Sequence, residues 1–381
     1  MKLGYKRLGE NIRLVKVKNT DGLVKELLGI NIDKFFMPSV ANIVGTDLSK
    51  YQIVQKNQFA CNRMHVGRDY RIPVAKSDSD SPFIVSPAYD VFEIIDESIL
   101  LPDYLMLWFK RREFDRNAWF YTDADVRGGL NWKAFLNMHL PIPSLEKQQE
   151  LIEEYEAVEN RIQLNKKLCA TLEETAQTIY KHWFEDFEFP NENGKPYKSS
   201  GGGMVECEEL GKEIPKGWRV GKLEELLLVC YGKSYSKLSA GSIPMYGSGG
   251  IMSYVNESLY NSETVLIPRK GSLNNIMFIN TPFWSVDTMF YSKPKIENVI
   301  PYAFQFLRKH NFSNSDQGSA VPSMTTSFLN DMQILIPDLE ILEEYRSIFS
   351  TLFESIEMKN AQTQKLEEFK SLLLGKMAVE N

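Results

Sequence analysis

Cysteine and histidine are scarce, with four of each in 381 residues. Cys61, Cys169, Cys207 and Cys230 form no C-x-x-C pair, which argues against the common zinc spacings and against a disulfide framework. His65, His139, His182 and His310 are equally scattered, and no H-E-x-x-H occurs. No apolar run approaches the ~18 residues of a membrane span. The N-terminal stretch MKLGYKRLGENIRLVK lacks the apolar core of a signal peptide. These absences lead us to expect a cytoplasmic protein in a reducing compartment, with no metal and no membrane partner.

Catalytic motifs are also missing. Tyr231-Gly232-Lys233-Ser234 imitates the end of a P-loop, but Leu227 stands where the first glycine of the cradle belongs. Gly247-Ser248-Gly249-Gly250 lacks the strand and helix of a nucleotide loop and reads as a turn. There is no N-P-P-Y or D-P-P-Y tetrapeptide of an amino-methyltransferase, and Asp338 after Pro337 has no acid-x-Lys partner at nuclease spacing. The expectation is that the chain has no catalytic residues of its own.

What is present is a duplication. Ile142-Pro143-Ser144-Leu145-Glu146 matches Ile336-Pro337-Asp338-Leu339-Glu340 at an offset of 194, and the same offset carries Leu172-Glu173-Glu174 to Leu366-Glu367-Glu368. The runs from Pro102 and Pro301 correspond more loosely. Charge repeats too. Blocks 1–140 and 195–330 each carry a net +3, whereas 141–194 and 331–381 carry −7 and −5, so the overall −6 does not exclude a polyanion partner. A period this long means two copies of a domain plus a following helix.

The acidic blocks have helical periodicity. Leu151, Tyr155, Val158, Ile162, Asn165, Cys169, Leu172, Ala176, Ile179 and Trp183 alternate steps of four and three, and Tyr345, Phe349, Leu352, Ile356, Lys359, Thr363, Leu366, Lys370, Leu373 and Met377 repeat the pattern. This narrow stripe fits a coiled-coil seam; an amphipathic helix lying on a globular core is the alternative. Asn165 and its counterpart Lys359 interrupt both seams as register-setting residues do. The paired acids Glu153 and Glu154 lie on the solvated side. The polar stretch 191–203, rich in Gly and Ser, reads as a linker unable to order itself by packing. The two basic blocks mix short β-branched and aromatic runs with one helix each, near 102–111 and 301–309, and predict α/β domains with mixed, partly antiparallel sheets.

Each basic block has a loop that suits nucleic acid. The first is Asn62, Arg63, His65, Arg68, Tyr70 and Arg71; the second is Arg269, Lys270, Ser272, Asn274 and Asn275, joined by Lys233, Ser234 and Tyr246. Arg pairs with guanine and Asn with adenine, while Lys, Ser and backbone N–H groups hold phosphates. An ordinary charged surface loop is the plainer reading of either cluster.

Across essentially its whole length the chain resembles the specificity subunits of type I restriction–modification systems. The resemblance rests on Ile142-Pro143-Ser144-Leu145 with Gln148-Gln149, Trp183-Phe184-Glu185-Asp186-Phe187, Asn193 through Gly202, Ile214-Pro215-Lys216-Gly217-Trp218, Ile243 through Ile251, Pro268 through Ser272, and Pro282 through Thr288. It implies an α+β fold with two similar target recognition domains (1–140 and 206–335). These would be separated by two long antiparallel coiled-coil helices (within 141–190 and 336–381), with a linker at 191–205. It implies a non-catalytic subunit that reads a bipartite site in double-stranded DNA. Methyltransferase subunits, two by the repeat, and restriction subunits would be its partners, and they would carry S-adenosylmethionine, ATP and Mg. Glu153, Glu154, Trp183, Phe353 and Phe369 are the candidate docking residues, the aromatics being surplus to the seam. Ile341-Leu342-Glu343-Glu344 departs from Lys147-Gln148-Gln149-Glu150, which implies less typical docking by the second helix. A protein-only coiled-coil adaptor and a stand-alone DNA-modifying enzyme remain the alternatives.

Overall fold

A computed structural model describes residues 4–40, 45–64, 66–122, 128–312 and 324–377. The chain forms two compact units. The first comprises Met1–Lys166 with Ala361–Asn381, and the second Lys167–Asn360.

In the first unit, strands Ile12–Val15, Asp90–Ile94, Phe59–Cys61 and Val74–Lys76 lie side by side in that order, every pairing antiparallel. Phe92 sits opposite both Leu14 and Phe59. Phe59 stacks on it at 5.2 Å, and Phe109 meets both rings edge-on. Phe109 comes from helix Pro102–Lys110, whose proline stands at the first turn, where a missing N–H costs nothing. In the second unit, strands Leu227–Tyr231, Met289–Pro294, Thr264–Pro268 and Met277–Ile279 also pair antiparallel. Numbered along the chain, both sheets have the order 1-4-2-3, and in both the fourth strand leads to a proline-headed helix, here Ile300–Lys309. The duplication read from the sequence is therefore a duplication of topology.

The expected mixed sheets are corrected in detail. Among the described strands the one parallel pairing is Ala240–Gly247 with Trp284–Ser285. The first unit's strand pairs are all antiparallel, both where a short loop joins them, as for Leu28–Ile30 and Phe36–Pro38, and where they come from distant parts of the chain, as for Ile12–Val15 and Asp90–Ile94.

Each unit ends in a two-stranded ribbon that launches a long helix. Tyr5–Arg7 pairs with His139–Pro141 before helix Leu145–Phe184, and Arg219–Lys222 pairs with Gln333–Ile336 before helix Leu339–Lys376. Gln148 pins the first helix to its unit. Fully buried, its amide donates to the carbonyls of Ile99 and Pro143 and accepts from the N–H of Leu101. The matching Leu342 is buried in the second unit's apolar core. The Gln-to-Leu departure is thus a change of internal packing.

Both long helices contribute to both units. In the first unit, Val158 and Ile162 pack on Leu366 and Leu373. Glu159 pairs with Lys370 at 2.9 Å and Lys166 with Glu367 at 3.1 Å, so the segments run antiparallel. In the second unit, the Cys169 thiol faces the Ile356 carbonyl, and Tyr180 and Trp183 pack on Tyr345, again antiparallel. Leu151, Tyr155, Val158, Ile162, Asn165, Cys169, Ala176 and Trp183 are buried, as the seam requires. Asn165 is 1% exposed and donates to Gln362 and Thr363. Its partner is therefore Thr363 rather than the repeat counterpart Lys359.

The stretch 191–203 is ordered, contrary to the linker expectation. Tyr197 stacks on Phe189 at 4.6 Å, Phe189 stacks on Trp218 at 5.1 Å, and the Tyr197 hydroxyl donates to the Gly203 carbonyl. The Asn191 side chain accepts from the N–H groups of Asn193 and Lys195. One aromatic residue and one Asx turn supply the packing that composition alone conceals. Among the described residues, no helix is long and apolar enough to cross a membrane.

Candidate nucleic-acid interface

In the second unit three loops converge at one end of the sheet. The N–H of Arg269 donates to the Thr288 carbonyl at 2.9 Å, and its own carbonyl accepts from Met324. The N–H of Lys233 donates to the Ser285 carbonyl, and the Trp284 indole donates to the Lys233 carbonyl at 3.1 Å. A Cβ on Gly232 would lie 2.1 Å from the Val286 carbonyl oxygen. Close backbone approach therefore accounts for the glycine that made this stretch resemble a P-loop.

Gly271, at φ +85°, has the left-handed conformation that lets its loop turn beside Ser248. The Asn275 amide donates to the Ser248 carbonyl at 2.8 Å, which ties the Gly-rich turn to the loop after Pro268.

On this frame the Arg269 guanidinium lies 5.5 Å from the exposed Tyr231 ring and donates to the Asp287 carbonyl at 3.2 Å. Lys233, Ser234, Lys270 and Ser272 are exposed, and Lys233 and Lys270 have no ion pair among the described residues. Tyr246 is half-buried, and desolvation holds its phenol above the usual range. Asn274 and Asn275 serve the loop itself. Asn274 accepts from the Phe312 N–H at 2.7 Å and donates to Asn311. The structure therefore brings Arg269, Lys270, Lys233 and Ser234 together, with the amides of Asn274 and Asn275 engaged in bracing the loop.

In the first unit Arg63 is a brace as well. It pairs with Asp90 at 2.6 Å, donates to the Leu130 carbonyl and lies 5.3 Å from the Trp132 ring. The Asn62 side chain accepts from the Met64 N–H. Arg68 is held fork-to-fork by Asp69, and Arg71 meets Asp33 at 2.7 Å. Tyr70 is exposed and stands at φ 57°, with its ring 5.4 Å from Trp119. His65 lies outside the described residues. The first loop thus offers Arg68, Tyr70 and Arg71 but not Arg63.

The docking candidates divide too. Glu153 and Glu154 are exposed, as is Phe369, but Trp183 is 5% exposed and Phe353 is half-buried against Phe278 and Phe349. Trp183 completes the second unit's aromatic core and is no surplus residue. The exposed Leu164, Met358 and Leu372 went unnoticed because a seam pattern identifies only what faces the partner helix. Among the described residues, no group of three His, Cys, Asp or Glu is placed to hold a metal.

Replacing Arg269 by Ala is expected to cost about 1–3 kcal/mol of DNA binding and to relax discrimination at one base position. Arg63→Ala should instead lower the thermal stability of the first unit while leaving the base preference of the folded protein unchanged. Binding-site selection beside thermal melting separates the two effects.

Residues 215–368 match the family described as the type I restriction modification DNA specificity domain. The MjaIX specificity subunit of Methanocaldococcus jannaschii is 26% identical over 316 residues, 74% of this chain and 70% of that protein. The HindI specificity subunit of Haemophilus influenzae is 20% identical over 91% of each chain. The fold resembles the crystal structure of the type I S subunit from M. genitalium with a TM-score of 0.61 at 16% identity, covering 98% of this chain and 95% of that one. Residues 215–368 thus match the type I DNA specificity domain, and the curated relatives that the chain resembles over most of its length are type I specificity subunits.

Proposed function

We propose that the chain is the DNA-reading subunit of a cytoplasmic type I system and that its two units read the two halves of a bipartite site in double-stranded DNA. As a specificity subunit it is non-catalytic. Methyltransferase subunits, two by the repeat, and restriction subunits would assemble on it and bring S-adenosylmethionine, ATP and Mg. The observation that carries this reading is the repeated 1-4-2-3 sheet, with cation-bearing loops in both units. A duplicated recognition domain calls for a duplicated target, and Arg269, Lys270 and Lys233 in the second unit have the chemistry to meet one half of it. The long helices, with Glu153, Glu154 and Phe369 exposed, supply surface for the partner subunits.

The test is binding of the full chain to randomised duplex DNA, followed by selection and sequencing of the bound fraction. The expected result is two short conserved blocks around an unconserved spacer, with log K falling steeply with log[salt] because Lys and Arg side chains displace counterions from the DNA phosphates. A single block, or salt-independent binding, would reject the proposal, the latter in favour of a protein-only adaptor. Turnover of DNA by the isolated chain would reject its non-catalytic part.

A further inference from the structure

Helix Arg112–Phe120 of the first unit carries a feature that loop reading did not anticipate. Arg112 and Arg116 stand four residues apart, on one face and exposed. With Tyr70 and Arg71 they line a cleft of about 640 Å³. Three carboxylates also line it, and each already has a cation: Asp33 meets Arg71, Asp115 meets Lys34, and Glu113 meets Arg111. The side chains of Arg112 and Arg116 have no ion pair or hydrogen bond among the described residues. The cleft therefore keeps two guanidinium groups with all five donors of each unclaimed by protein.

Its rim is aromatic. The helix ends in Trp119 and Phe120, followed by Tyr121, and all three are exposed, Phe120 by 75%. Trp119 leans on Tyr70 at 5.4 Å, and Phe120 meets Tyr121 edge-on at 5.3 Å. A cluster of four exposed aromatic rings is a costly surface to leave in water and marks a place of contact. Its chemistry selects the occupant. Guanidinium groups suit phosphate oxygens, and apolar rings suit base faces or the gap between two bases.

We propose that this cleft and rim form a DNA-binding surface of the first unit, with backbone phosphates on Arg112 and Arg116 and the Phe120 ring wedged at a base step. The proposal rests on the DNA-reading function above and places the contact on the helix end as well as on the loop 62–71. Charge complementarity favours a polyanion here: two unpaired guanidinium groups stand above a cleft whose carboxylates are already satisfied.

The experiment uses the full chain and a fluorescently labelled 30-base-pair duplex of random sequence, titrated at several salt concentrations between 50 and 200 mM. Arg112→Ala/Arg116→Ala should make the slope of log K against log[salt] shallower by about 2, one per lost phosphate contact. Arg112→Lys/Arg116→Lys should keep the slope. Phe120→Ala should keep it as well but weaken binding roughly 5- to 150-fold, the range for an aromatic ring on a base. Photocrosslinking to 5-iodouracil-substituted duplex should map to residues 119–121. All the altered side chains are exposed, so circular dichroism should match the parent.

If the parent chain shows no salt-dependent DNA binding, the DNA-reading function fails and this site with it. If the parent binds and all the variants bind alike, this site alone is overturned. Variants that keep DNA binding but lose association with a methyltransferase subunit would also overturn it and assign the patch to protein docking.

Discussion

Asp115→Ala is expected to destabilise the first unit by about 3–5 kcal/mol at pH 7, the usual result of removing one partner from a buried ion pair. Lys34 is 6% exposed. It donates to Asp115 at 2.7 Å and to the Phe109 carbonyl, from a backbone held at φ 71°. Desolvation pulls its ammonium down to about 8, even though Asp115 holds it up. Without the carboxylate it would fall further, and the Ile72 N–H would lose its acceptor as well.

The sign of the pH effect follows. Above about pH 8 the parent's folded Lys34 is itself losing its proton, so the ion pair contributes less there. The folded variant holds fewer protons than the folded parent, so the gap between them narrows as pH rises through that value. Urea denaturation at pH 7 and pH 9, followed through a first-unit signal, should show the larger difference at pH 7. A difference that grows with pH would mean Lys34 is not the group in control.

The second large effect is expected from Phe184→Ala, at about 3–5 kcal/mol in the other unit. Phe184 closes the first long helix, and its ring lies 4.5 Å from Tyr302, 5.0 Å from Tyr345 and 5.8 Å from Trp218. These three rings come from helix Ile300–Lys309, the second long helix and the turn before Arg219. One truncation therefore opens a cavity where three elements meet, and bulky rigid rings cannot collapse into it. For a unit of about 200 residues, a shift of roughly 2–4 °C per kcal/mol predicts a melting temperature lower by some 6–20 °C. Calorimetry on the parent and the variant decides it. A loss below 1 kcal/mol would mean that the cluster tolerates the cavity.

The two long helices were the most legible part of the chain, because a seven-residue repeat sustained over ten seam positions admits few other structures. The duplication was legible for the same reason, through Pro143 and Pro337 and the acids that follow them. What escaped were features set by residues far apart in sequence. Arg63 looks like any basic loop residue until Asp90 and Leu130 arrive beside it. Trp183 fits the seam and also fits a surplus aromatic, and only Tyr345, 162 residues later, chooses between them. The stretch 191–203 has the composition of a linker, yet a single stack of Tyr197 on Phe189 orders it. Arg112 and Arg116 were overlooked because helices carry surface arginines everywhere. Their distinction is that the neighbouring carboxylates are already taken.

The division of each long helix between the two units has a consequence for synthesis. The second unit is one continuous segment, so every residue it needs has been made by position 360. The first unit begins earlier but needs Leu366, Leu373 and Met377 to cover Val158, Ile162 and the base of its core. At about 5–20 residues per second, roughly 10–40 s pass between the appearance of that apolar stripe and the arrival of its cover. The part translated first is thus the last to close, and its longest-range contacts make it the slower to fold. A stop codon at position 361 would remove no part of either sheet. It would leave Val158 and Ile162 permanently exposed, a sticky stripe that invites aggregation.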